Sequence, residues 1–194
     1  MTIKAFDHGA LRALEHRALM LARTRAHSPS VDRAVAAYSR LGEHAGCWLA
    51  LGGSGALLAR EDGRRRGWRR GMRVVLASYA LNFAVKLAVR RRRPELEGLP
   101  PLTPTVSRLS FPSAHATTSF AAARSYRGLA PAAALYPAAV AFALSRPYLG
   151  VHYPGDVLAG ALLGTAVAEL WPAPPGRAGD SQGHSWRSRR RRLR

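Results

Sequence analysis

SRPYLGVHYPGD, residues 145–156, places a hydroxyl, a guanidinium, an imidazole and a carboxylate at fixed spacing between two apolar runs. Pro154 suits the first turn of a helix, where its missing N–H would have had no partner anyway. Residues 156–171 (DVLAGALLGTAVAELW) read as that helix. His152 then sits just ahead of a helix N-terminus, where free N–H groups and the positive dipole end attract an anion. Asp156, one turn on, is placed to hold one ring nitrogen as a donor and leave the other as an unprotonated nucleophile or base. Ser145 and Arg146 add groups suited to phosphate oxygens. Alone, the pattern reads equally well as a local hydrogen bond at a helix end, so two further segments decide it.

The run before it, 129–144 (LAPAAALYPAAVAFAL), is apolar, and upstream of that PSAH at 112–115 precedes ATTSFAAARSY, with Pro112 suited to open a helix. Further back, KLAVRRRRP at 86–94 closes the apolar stretch 72–89, and the proline-rich segment 90–111 reads as a loop. Helices that alternate in direction bring all three segments to the same end of a bundle. No strand-type alternation and no internal repeat occur, so the fold class is all-α, a bundle of about five to six helices. The apolar runs are about 15–18 residues long, the lower edge of spanning length, and can equally be the core of a soluble bundle; an integral membrane bundle is favoured by the charge pattern and by the resemblance to a known family.

Charge supports that choice. The chain has 194 residues and a formal net charge of +19, from 30 Lys plus Arg against 11 Asp plus Glu, which requires an anionic partner. The arginines cluster at 60–73, 90–93 and 187–194, flanking apolar runs. A nucleic-acid binder would instead carry them along one folded face. Cys47 is the only cysteine, so there is no intramolecular disulfide and no cysteine-based metal site. Residues 5–25 put Leu11, Leu14, Ala18 and Leu21 on one helical face, either packed on the domain or lying in a membrane interface. Ser30 is a plausible N-cap for a second short helix. The organisation expected is thus 1–44 as amphipathic helices, 45–171 as the membrane-embedded catalytic domain, and 172–194 as a disordered basic tail against anionic lipid. Trp48, Trp68 and Trp171 fall at span ends, where indoles favour the interface. Counting arginines at the two faces puts the site on the outer side of the cell membrane.

The segments K-x6-RP (Lys86 to Arg93 and Pro94), PSxH (112–115) and SR-x5-H-x3-D (145–156) resemble the three signature motifs of the type 2 phosphatidic acid phosphatase superfamily. That family includes lipid phosphate phosphatases, undecaprenyl-pyrophosphate phosphatases, class A acid phosphatases and vanadium haloperoxidases. The chain is also similar to small actinobacterial members that act on polyprenyl phosphates. The resemblance implies that His152 is the nucleophile, forming a phosphohistidine, with Asp156 orienting it. It implies that His115 protonates the departing alkoxide and then activates water, while Lys86, Arg93, Ser113 and Arg146 bind phosphoryl oxygens. Ser145 is a weaker member of that set. Ala114 stands where the family usually has Gly, and its backbone N–H is still available to phosphate.

General chemistry agrees with those roles. Phosphoryl transfer rests on positioning and charge stabilisation, which three cations and two helix N-termini supply without a metal. No carboxylate cluster suited to Mg²⁺ stands out: Glu95 and Glu97 lie in the loop and Asp156 is committed to His152. The expectation is therefore no cofactor and no metal, with Arg90, Arg91 and Arg92 meeting lipid headgroups or a second phosphate. The expected partners are a lipid phosphate and a membrane with anionic lipids, with no nucleic acid and no obligate protein partner. The function expected is hydrolysis of a phosphomonoester on a lipid, a polyprenyl-linked phosphate before others. A phosphatidic acid or phosphatidylglycerophosphate phosphatase and an undecaprenyl-pyrophosphate phosphatase are the alternatives within the fold. A basic nucleic-acid-binding protein and a catalytically dead scaffold are those outside it.

Overall fold

Residues 8–172 are described by the computed structural model, so the expectation for a basic tail lies outside the described residues. Among the described residues seven α-helices form: α1 His8–Thr24, α2 Pro29–Leu41, α3 Gly46–Leu58, α4 Asp62–Val89, α5 Ala114–Tyr126, α6 Ala132–Tyr148 and α7 Pro154–Leu170. A 3-10 turn, Glu43–Ala45, links α2 to α3, and among the described residues there is no β-strand beyond an isolated bridge between Arg92 and Leu109. The expected five to six helices fall short of the seven among the described residues, both expected N-terminal helices being among those that form. Ser28, not Ser30, caps α2, its side chain accepting from Val31 N at 3.3 Å. Pro29 has no N–H to give and its φ fits the first helical position, so the cap falls on the residue before it.

α4 begins at Asp62, well before the apolar stretch expected to open it at Met72. Arginine is a good helix former, and the basic segment simply continues the helix as an exposed extension. Its guanidiniums fasten the far end of the bundle: Arg64 donates to Leu129 O at 2.9 Å, Arg65 to Ala59 O at 3.0 Å, and Arg70 to Trp171 O at 3.0 Å.

α5 is the central helix, buried from His115 to Ala123 at all but one position and packed by α4, α6 and α7. It is small-residued, and α7 meets it with bare glycines one turn apart. A Cβ at Gly160 would strike Ser113 O, and one at Gly164 would strike Thr117 O, so the two backbones touch. Small residues at four-residue spacing permit this approach where association depends on contact rather than on expelling water. The far half of the core is aromatic: Trp48, Trp68, Tyr126 and Phe142 pack together with Val75 and Leu135. Trp48 and Trp68 are therefore core residues and not interface anchors, with Trp48 Nε1 donating to Ser119 Oγ at 2.8 Å and its ring edge-on to Phe142.

The outward faces of α3, α4, α6 and α7 carry exposed Leu57, Phe83, Leu144, Leu158, Leu162 and Leu170. α4, at 28 residues, is the one helix among the described residues that is long and apolar enough to cross a membrane. The α1 stripe Leu11, Leu14 and Leu21 faces outward, Leu14 being 64% exposed, while Glu15, Leu19 and Arg23 turn toward the bundle.

Candidate active site

Lys86 stands in the last turn of α4, its stem buried, and donates from Nζ to Leu109 O at 3.1 Å and Ser110 O at 3.3 Å. Arg90, in the left-handed region at φ 54°, then ends the helix and turns the chain. The chain runs extended from there, tied to the returning loop by Ser110 N to Arg91 O at 2.8 Å and Arg93 N to Arg108 O at 3.2 Å. In an extended segment alternate side chains share a face. Arg91 and Arg93 accordingly turn inward while Arg90 and Arg92 are exposed.

Arg93 Nε donates to Ser107 O at 2.7 Å, and its Nη1 reaches Val151 O at 2.7 Å and His152 Nε2 at 3.1 Å. A guanidinium has no acceptor, so Nε2 of His152 is the unprotonated nitrogen and the ring proton sits on Nδ1. Nδ1 faces Asp156 Oδ2 at 3.6 Å and makes no hydrogen bond. That is about 0.7 Å beyond an ordinary hydrogen bond. Asp156 is itself fixed at both oxygens, Oδ1 by Arg91 Nη1 at 3.0 Å and Oδ2 by Tyr153 N at 2.9 Å. His152 is 2% exposed, and burial, followed by the charges of Arg93, Arg146 and Lys86, holds its pKa well below the usual imidazole range. Burial also pushes Arg93 down to about 10, which leaves it a cation at neutral pH.

His115 opens α5 and gives Nε2–H to Ser39 O at 2.9 Å, so Nδ1 is its remaining ring nitrogen. Gly42 lies against the same ring: a Cβ there would stand 2.9 Å from His115 Cδ2. Arg146, near the end of α6, donates to Ser39 Oγ at 2.5 Å and keeps a buried, unpartnered Nε. A single pocket of about 120 Å³ is lined by Lys86, Arg93, Ala114, His115, Arg146 and His152.

Of the remaining expected residues, Asp156 lies behind His152 and not on the pocket wall. Ser113 also sits outside the lining; its N–H bonds Asp156 O at 2.9 Å, joining the start of α5 to α7, and its buried Oγ has no partner. Ser145 does not reach the pocket. Its hydroxyl donates to Phe142 O at 2.7 Å, the usual recourse of a serine inside a helix. Arg91 is not a headgroup contact either: it is paired with Asp156 and with Glu15 and lies over the Tyr153 ring at 4.1 Å.

Comparison with protein families decides the lineage: the family model described as PAP2 superfamily matches residues 72–173. The chain belongs to the PAP2 superfamily. Among its PAP2 relatives, decaprenylphosphoryl-5-phosphoribose phosphatase of Mycolicibacterium smegmatis is 41% identical over 135 residues, 68% of this chain and 72% of that protein. The protein of the same name from Mycobacterium tuberculosis is 40% identical over 135 residues, 68% of this chain and 73% of the relative. Two solved structures share the PAP2 fold. The transmembrane PAP2-type phosphatidylglycerolphosphate phosphatase of Bacillus subtilis superposes with a TM-score of 0.68 at 23% identity, over 84% of this chain and 85% of that one. Aquifex aeolicus LpxE does so with a TM-score of 0.69 at 24% identity, over 87% and 97%.

Reading the PAP2 motifs alone misses Ser39, Glu15 and Arg91. Only Arg91 leaves a usable trace in the sequence: it lies two residues before Arg93 in a stretch that cannot be helical so close to Pro94.

Proposed function

We propose that this PAP2 phosphatase removes the phosphate of a polyprenyl-linked phosphomonoester through a phosphohistidine on His152, using protein cations where other phosphatases use a metal. One observation carries this reading: an unprotonated Nε2 on a buried imidazole, with the guanidinium of Arg93 at 3.1 Å and Lys86 and Arg146 on the same pocket wall. The phosphoryl group displaces the Arg93–His152 hydrogen bond, and Arg93, Lys86 and Arg146 take its oxygens, joined by the N–H of Ala114 at the N-terminus of α5. Burial holds the His115 pKa down to about 3 before substrate enters, so its Nδ1 takes up a proton from solvent as the phosphate dianion binds. Nε2 of His152 attacks phosphorus while the P–O bond to the alkoxide breaks, and His115 passes that Nδ1 proton to the leaving oxygen. In the second half a water gives its proton to His115, its oxygen attacks phosphorus, and the P–N bond breaks. Inorganic phosphate leaves and the neutral His152 is restored. Asp156 balances the charge that His152 gains in between.

The substrate class draws on the curated relatives, whose name specifies a polyprenyl-linked phosphoribose. Glu43, His44 and Tyr79 line the pocket beside the phosphate groups, a polar wall suited to a sugar between phosphate and lipid. His44 is held there by Tyr79 OH at 3.0 Å, on a turn in which both His44 and Ala45 adopt left-handed backbone at φ 52° and 61°. Such strain persists where surrounding structure fixes it. A diphosphate substrate loses one of its supports, since Arg91 is already engaged.

The bundle from residue 45 onward sits in a bilayer in this reading, supported by α4 and by the leucine-covered outer faces. α1 and α2 lie at its surface, with the pocket opening on the outer side. Periplasmic or cytoplasmic labelling of a cysteine introduced at Val106, on the pocket rim, tests the orientation.

The test of function is phosphate release in EDTA by detergent-purified protein from a panel of lipid phosphates, with His152→Ala alongside. Release that vanishes in the variant is the expected result. No release from any lipid, or release indifferent to His152, overturns the assignment.

A further inference from the structure

α1 sends both of its inward charges to the turn that carries His152. At one end of that turn, Arg23 is buried and donates to Tyr148 O at 3.2 Å and Pro100 O at 2.8 Å. Gly150, at φ 75°, leaves the room: a Cβ there would stand 2.8 Å from Arg23 Nε. At the other end, Glu15 accepts from Arg91 through both oxygens, at 2.6 and 3.3 Å, and from Gly155 N at 3.1 Å. A Cβ on Gly155 would occupy the place of the Glu15 carboxylate, so glycine is required for the approach. The carboxylate therefore caps the N-terminus of α7, where negative charge is favoured. It also fixes the guanidinium that holds Asp156 Oδ1 at 3.0 Å.

We propose that Glu15 is a positioning residue for the His152–Asp156 pair, acting through Arg91 and the first turn of α7. Glu15 touches neither the pocket nor either histidine. It sets where Arg91 stands, and Arg91 fixes one oxygen of Asp156 so that the other stays aimed at Nδ1 of His152. Without Glu15, Arg91 keeps a single anionic partner and is drawn fully onto Asp156, which pulls the carboxylate away from the imidazole. The helix that carries Glu15 keeps its leucine stripe outward, so the same element faces the bilayer surface and the catalytic turn.

The proposal rests on the phosphatase reading, so its test includes a measurement that needs no turnover. Glu15→Gln, Glu15→Asp, Arg91→Lys and the Glu15→Gln/Arg91→Lys double variant are purified in detergent beside the wild type. Kinetics on the best lipid phosphate and amide hydrogen exchange across residues 150–157 are recorded for each. Expected for Glu15→Gln are a fall in kcat of about tenfold to a hundredfold with KM within about twofold, recovered in part by Glu15→Asp. The double variant falls no further than Arg91→Lys alone, and exchange rises across 150–157 while that of α5 is unchanged. A wild-type kcat in Glu15→Gln, losses that multiply in the double variant, or losses confined to KM each overturn the proposal. So does a loss that tracks melting temperature without recovery in Glu15→Asp. If the wild type itself releases no phosphate, the phosphatase reading fails separately. Exchange at 150–157 indifferent to Glu15→Gln would then overturn the positioning role as well, and raised exchange confined to that turn would support it.

Discussion

The turn bearing His152 is held from two sides by opposite means. Toward α5 the contact is backbone against backbone, with Gly160 and Gly164 of α7 pressed on the carbonyls of Ser113 and Thr117. Toward α1 it is made by long side chains, Glu15 and Arg23, that reach across and end in hydrogen bonds. The first contact has no slack: its geometry is set by main chain and any added atom must displace a helix. The second is adjustable, because a guanidinium or a carboxylate can re-aim through its own torsions. On the proposed mechanism, the site is thus anchored rigidly on the side of its phosphate ligands and adjustably on the side of His152.

Gly164→Leu breaks the contrast most severely. The side chain meets Thr117 O in a wall with no room to yield, and a loss of about 3 kcal/mol or more is expected, read as a collapse of the folded fraction on thermal unfolding in detergent. Arg23→Gln should cost less, about 2 kcal/mol, for the charge-assisted bonds to Tyr148 O and Pro100 O. Since Arg23 does not touch Arg91 or Asp156, kcat should fall less than in Glu15→Gln, and an equal fall would show that the two ends of the turn move as one. The mildest test uses pH. The folded-state pKa of His152 lies below its unfolded value of about 6.5, so the folded state binds fewer protons under acid conditions. The stability linked to this histidine is complete above about pH 6.5 and is lost as pH falls from there toward the folded value, by up to about 1.4 kcal/mol per pH unit. His152→Gln should remove that component, and unfolding curves of both proteins between about pH 7 and 5 check the difference.

What the sequence made legible follows the same division. Lys86, Arg93, His115, Arg146 and His152 were readable because Lys86, His115 and Arg146 sit at helix ends and Arg93 and His152 in the segments just beyond, all at motif spacing, and helices of alternating direction bring such ends together. Ser145 lies off the pocket lining because a hydroxyl within a helix has a carbonyl one turn back to satisfy it, and Phe142 O does so. The glycine pair of α7 is plain in AGALLGTA but means little until α5 is known to be its neighbour. Ser39 and Glu15 were not legible at all: one bonds His115 from 76 positions away and the other Gly155 from 140. Nothing local marks such a residue, whereas Arg91 could have been found by carrying the two-residue alternation of an extended chain back from Arg93. Trp48 and Trp68 were misplaced because an indole at the end of an apolar run fits a lipid interface and an aromatic core equally, and for Trp48 the presence of Ser119 opposite Nε1 separates the two.

The inward charges of α1 also say something about how the molecule is made. The helix emerges from the ribosome ahead of every group that Glu15 and Arg23 will bond, and the Gly155 N–H arrives 140 residues later. On the proposed placement at the bilayer surface, its leucine stripe gives it a resting place there in the meantime. Closing onto the α6–α7 turn has to wait for synthesis of that turn, so α1 is seated late although it precedes the helices it packs on, and the His152 turn is not held from both sides until then.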